Sequence, residues 1–231
     1  MAGRPERRGK GRKAVLREPS APDLPVDLAA ADPSVHDLED SGVYELLAFS
    51  DLDLSGREAA GAEIEACRYA NVNLSQVKLR RALVRDVTFD RCDLANLRAL
   101  DSAFTRVAIS SCRMTGLSLL DNHLRDVTFT GCRIDLSSFR VSKLADVVFT
   151  DCRMEQADFA DADLRGARFV GCTLAAAQFS GARMTGARFA HCELTGISGV
   201  TSMRGAIITS PDAVALAAIL AGALGIKIED N

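Results

Sequence analysis

From Phe49 to Leu194 every fifth residue is apolar, thirty positions without a break. All ten Phe and both Tyr sit at positions ending in 4 or 9, and all seven Cys at positions ending in 2 or 7. A helix would repeat its apolar residues near every 3.6 positions and a strand every 2. A period of five fits neither as a continuous element. It fits a short unit in which two side chains of five turn inward. So small a unit cannot bury its own apolar face, and it must stack on copies of itself.

Twenty residues make four such units, and a longer period appears at that spacing. Phe89, Phe129, Phe149, Phe169 and Phe189 share one column, with Ile109 in the gap. Leu94, Met114, Ile134, Met154, Leu174 and Leu194 form the next. Leu119, Phe139, Phe159 and Phe179 form a third, after the smaller Ala99. Phe104, Leu124, Leu144, Leu164 and Met184 form the fourth. The second inward place is usually Ala, Cys, Val or Ser, with Arg57 and Asn122 as exceptions. Each column is more uniform than the chain as a whole. This predicts a four-sided coil, one turn per twenty residues, with neighbouring turns about 4.8 Å apart. Proline would remove a donor from the turn-to-turn ladder. The stretch from Tyr44 to Gly196 contains none. Around residues 55–61, Arg57 and Ala59 depart from the pattern, and a local distortion is expected there.

The segment "ADFADADLRGARFVGCTL" resembles the pentapeptide repeat, A(D/N)LXX with Leu or Phe at the centre. The likeness covers about residues 44–196. It implies an all-β solenoid, a right-handed quadrilateral β-helix of pentapeptide repeats. The quinolone-resistance members of that family are distantly similar, and they dimerise through their C-terminal ends.

Three segments are expected. Residues 1–40 hold five of the six prolines. The first 17 carry seven Lys or Arg, and residues 18–40 carry seven Asp or Glu with no Lys or Arg. Such Pro-rich, charge-segregated sequence reads as a disordered tail. Residues 41–200 form the coil, and 201–231 a C-terminal capping or dimerisation segment. There Ser210 reads as an N-cap, Pro211 as a first helical residue and Gly225 as a stop, giving a helix over 211–224. Asp212 suits the positive end of that helix. Val214, Leu216, Ile219, Leu220 and Leu224 cover a wide arc, able to cap the coil and to meet a second subunit.

Cys92, Cys112, Cys132, Cys152, Cys172 and Cys192 recur every twenty residues, and Cys67 keeps the five-residue rule one face away. Zinc needs four convergent ligands, whereas stacked thiols point in single file. A disulfide would have to turn side chains out of register. The cysteines therefore read as small core fillers. Of the three histidines, His123 and His191 fall in the repeat, and His191 points outward in the predicted register.

No nucleophile elbow, zinc-binding helix motif or phosphate loop appears. A convex rod offers no concave site, so catalytic, metal-binding and cofactor-binding residues are all expected to be absent. No secretory signal or membrane-length apolar run is seen, so a cytoplasmic, bacterial setting without membrane or small-molecule partner is expected.

Arg113, Arg133 and Arg153 stack beside the cysteines as a candidate interaction surface, with Asp135 and Glu155 near enough to offset them. The expected function is a non-enzymatic scaffold for protein–protein interaction. The family resemblance implies an alternative, a DNA mimic that binds DNA gyrase and protects it from fluoroquinolones. Residues 41–194 hold 19 Lys or Arg against 20 Asp or Glu, so the coil as a whole does not imitate phosphate charge.

Overall fold

The computed structural model describes residues 17–228. The chain winds into a four-sided parallel β-solenoid of about nine turns, followed by one helix. Its strands form a 12-stranded and a 4-stranded parallel sheet. Partners lie twenty residues apart through the body of the coil: Val87 pairs with Val107, Val127 with Val147, Phe149 with Phe169. Backbone N–H groups donate along the axis to the neighbouring turn, as from Arg133 to Cys112 O at 3.0 Å. This satisfies the donors and acceptors that a lone five-residue unit would leave open.

The inward columns are those the period predicts. Phe129, Phe149, Phe169 and Phe189 stack face to face, with centroids 4.6, 5.0 and 4.8 Å apart. Phe139, Phe159 and Phe179 make a second ladder at 4.9 and 5.4 Å. The two ladders meet edge to face, as between Phe159 and Phe169 at 84°. Offset and edge contacts of this kind add about 0.5–1.5 kcal/mol per pair beyond area burial.

Sharp corners separate the faces. Positions ending in 1 or 6 take a left-handed backbone at nearly every turn, from Ser41 and Asp51 to His191 and Gly196. Asp, Asn and Gly tolerate this region. Val141, at φ 61°, does so only against its β-branched side chain.

Asn122, the misfit in the small-residue column, is fully buried. Its Oδ1 accepts the Ser102 N–H at 2.8 Å, while its own N–H donates to Ser142 Oγ at 2.8 Å. Ser102 Oγ in turn accepts the Ala82 N–H at 3.0 Å. Inward N–H groups in this column are thus met by side chains one turn later.

The structure differs from the sequence expectation in four places. First, residues 55–61 are regular: Glu58–Ala60 pairs with Lys78–Arg80 in register. Arg57 lies in the first turn, so its side chain leaves through the coil end and pairs with Asp37 at 2.8 Å. Second, residues 17–40 are laid against the coil. Ala29–Ala30 adds a strand beside Leu47–Ser50, and Leu38 is buried over the first turn. The basic stretch before Arg17 lies outside the described residues. Third, parallel pairing continues past residue 200, where the coil is expected to end. Ser198 still bridges Gln178. A short 3-10 turn over Val200–Met203 then precedes Ile207–Ile208, whose pairing with Arg188 and Phe189 runs one residue short. Fourth, the N-cap of the helix is Thr209. Helix α1 spans Ser210–Ala223, with Pro211 in its first turn and Gly225 left-handed just beyond it.

Candidate interaction surfaces

The register places Arg113, Arg133 and Arg153 one above another on an outer face, as direct bridge partners. All three side chains are exposed and each has an acidic partner. Arg113 reaches Asp93 at 2.8 Å, Arg133 reaches Asp135 at 3.1 Å, and Arg153 reaches Asp135 at 3.1 Å and Glu155 at 2.9 Å. The stripe is therefore a ladder of alternating charge. The more exposed of these pairs, such as Arg113 with Asp93, are worth about 0–1 kcal/mol each, whereas Asp135 is buried between Arg133 and Arg153.

Pairing one turn apart recurs around the coil: Lys78 with Glu58, Arg85 with Glu65, Arg183 with Asp163. Arg80 and Arg98 are among the residues outside this pattern. Twenty positions from Arg80 lie Ala60 and Leu100, and from Arg98 lie Lys78 and Ser118. Neither arginine makes an ion pair among the described residues. Together with Arg81, Leu100 and Leu120 they line a shallow groove of about 730 Å³. Sequence reading missed this groove, although the missing acid at twenty residues is visible once the period is known.

Helix α1 lies across the last turn. Leu216 is fully buried against the core, and Ile219 packs beside it. Val214, Leu220 and Leu224 face away and are exposed. Asp212 is buried, and its carboxylate accepts the N–H groups of His191 at 3.1 Å and Cys192 at 2.9 Å. The Thr209 hydroxyl donates to the same carboxylate at 2.6 Å.

The six cysteines from Cys92 to Cys192 run in single file, buried and unbridged, as does Cys67 apart from them. Each of their thiols is directed at backbone carbonyls, for example Cys152 Sγ to Phe129 O at 3.5 Å. Burial raises the Cys67 thiol above its ordinary range. Neighbouring sulfurs and burial raise Cys112 and Cys152 likewise. Cys92, Cys132 and Cys172 are shifted down by hydrogen bonds from the neighbouring thiols, so the column alternates. Among the described residues no group of His, Cys, Asp or Glu is arranged to hold a metal ion. No helix among them is long and apolar enough to cross a membrane.

The fold and its five-residue core define a class of protein, the pentapeptide-repeat solenoid. Residues 102–179 match the sequence model of the pentapeptide repeat region. Among solved structures it is similar to HetL, a pentapeptide repeat protein involved in heterocyst differentiation regulation from the cyanobacterium Nostoc sp. strain PCC 7120. That alignment has 16% identity and a TM-score of 0.35, and covers 78% of this chain and 94% of HetL. It is also similar to trypsin-treated QnrB1, a plasmid-mediated fluoroquinolone resistance protein, at 17% identity and a TM-score of 0.37, over 82% of this chain and 100% of that one. Full-length QnrB1 aligns at 18% identity with a TM-score of 0.30, over 80% of this chain and 100% of that one. No curated protein matches the chain.

Proposed function

We propose that this protein is a non-enzymatic scaffold that binds another protein through its outer faces. The observation that carries this reading is the groove of Arg80, Arg81 and Arg98. Several outward charges of the coil are paired across one turn, as Lys78 is with Glu58 and Arg183 with Asp163. Here two arginines have no such partner, and they stand beside the half-exposed side chains of Leu100 and Leu120. Arginine is one of the residues enriched at interface hot spots. The groove suits a partner that offers carboxylates around an apolar contact.

The test is retention of host proteins by the immobilised full-length chain and by an Arg80→Glu/Arg98→Glu variant. The reading expects a specific protein that the wild type retains and the variant releases. Identical retention profiles would contradict it.

The exposed face of α1 is the proposed contact for a second copy. Val214, Leu220 and Leu224 stand unpartnered on a helix whose other side already caps the coil. Light scattering is expected to show a dimer that Leu220→Glu converts to a monomer. The gyrase-directed alternative needs a uniformly acidic face, and the acids observed on the arginine stripe are paired with cations. No specific observation favours it.

A further inference from the structure

One corner of the coil carries Asp86, Arg106, Asp126 and Asp146 in a column, each with left-handed backbone. Asp86 and Asp126 are 5% and 4% exposed. Residues 17–25 lie over them, running back along the coil toward its first turn. The Asp23 N–H donates to Asp86 Oδ1 at 2.9 Å, and the Ser20 N–H donates to Asp126 Oδ1 at 2.9 Å. The Arg17 guanidinium spans two turns, reaching Asp126 at 3.1 Å and Asp146 at 2.9 Å. Glu18 meets Arg168 at 2.6 Å.

The two periods are commensurate. Ser20 and Asp23 are three residues apart, and an extended proline-type chain advances about 3.1 Å per residue, or about 9.3 Å. Asp126 and Asp86 are two turns apart, about 9.6 Å at the spacing of neighbouring strands. Pro19, Pro22 and Pro25 recur at the same interval of three. They fix the backbone and put each anchored N–H directly after a proline. Pro19 and Pro22 are half-buried against the corner.

Of the three contacts with the aspartate column, two are backbone N–H groups, which any sequence with this spacing supplies. The third is one arginine, three residues before the first anchored N–H. Within the coil, Asp86 has Arg106 as a close partner. Asp126 has only Arg125, at 3.7 Å. Most of what satisfies Asp126 comes from the overlying segment.

We propose that this corner is a peptide-binding groove for an extended, proline-spaced, arginine-bearing segment of a partner protein, and that residues 17–25 fill it in the resting chain. The recognition is main-chain pairing plus one charged side chain, as in other extended-peptide sites. A partner gains access by displacing the chain's own segment, so occupancy in cis sets its apparent affinity.

The test uses a fluorescently labelled peptide spanning Arg17–Pro25 and fluorescence anisotropy with three full-length chains: wild type, Arg17→Ala/Glu18→Ala, and that variant with Asp126→Asn added. The loosened variant is expected to bind the peptide at least tenfold tighter than wild type. Adding Asp126→Asn is expected to weaken binding at least tenfold, and so is Arg17→Ala within the peptide, which leaves the protein untouched. Equal binding by wild type and the loosened variant would overturn the proposal. So would equal binding by the two peptides, or no binding by any chain with an intact circular-dichroism spectrum.

Discussion

Asp212 stands twenty residues after Cys192 and accepts its backbone N–H at 2.9 Å. It occupies the cysteine column's place in what would be the next turn, but from the first turn of a helix. The carboxylate thus closes an edge that would otherwise leave the N–H groups of His191 and Cys192 unpaired. Asp212→Ala should destabilise the protein by about 1–3 kcal/mol, the cost of buried donors left without an acceptor. Asp212→Asn should recover part of it. Urea unfolding measures both, and equal midpoints for all three proteins would contradict the edge-closing role.

Ile109 interrupts the aromatic ladder between Phe89 and Phe129. The three side chains border a narrow apolar cavity of about 50 Å³ along the axis. Ile109→Phe should extend the stack and fill that space, raising stability by about 1 kcal/mol on the usual cavity scaling. Ile109→Ala should lower it by about 2–5 kcal/mol. Thermal unfolding decides; a Phe variant less stable than wild type would mean that the corner-to-corner width cannot take a ring at this level.

Val141 sits at φ 61° on an exposed corner. Left-handed backbone costs a side-chain-bearing residue about 1–2 kcal/mol, whereas glycine loses about 0.5–1 kcal/mol in chain entropy. Val141→Gly should therefore raise stability by about 0.5–1 kcal/mol. A destabilised variant would show that Val141 packs in a way its exposure does not reveal.

The overlying segment gives the protein an acid-sensitive contact. Burial alone would raise the Asp86 carboxyl, but hydrogen bonds from Arg106 and the Asp23 N–H outweigh it and hold the group below its ordinary value. Its folded value is lower than its unfolded value of about 3.9. The stabilisation is then complete above that pH and is lost as pH falls through the folded value. Hydrogen exchange at the Asp23 amide should show protection at neutral pH that begins to decline only below about pH 4, the unfolded reference value. Asp86→Asn should remove most of this dependence.

Much of the fold is legible in the residues. Phe149 and Cys152 fall inward because a five-residue period admits no other register, and the twenty-residue columns place Phe129, Phe149 and Phe169 in contact. Other features were hidden by their composition. The prolines at 19, 22 and 25 read as disorder because only their number was weighed, although their spacing of three matches two turns of the coil. Asp212 read as a helix-end charge because the helix seemed to end the register, whereas its carboxylate continues the register into the cap. Arg57 reads as a packing fault if every inward place is closed, whereas in the first turn the place is open to Asp37. The candidate sites were less legible. The stacking of Arg113, Arg133 and Arg153 follows from the period. That Arg80 and Arg98 lack acidic partners follows only after the charges are read twenty residues apart.

The register itself is tested most directly by urea unfolding of two single variants, Phe149→Asp and Arg133→Ala. Phe149 is fully buried between Phe129 and Phe169, and Arg133 is exposed. Phe149→Asp should cost several kcal/mol, about the scale of burying an unpaired polar group together with the lost ring, and Arg133→Ala no more than about 0.5 kcal/mol. Equal tolerance of the two substitutions would contradict the twenty-residue coil on which every surface described above depends.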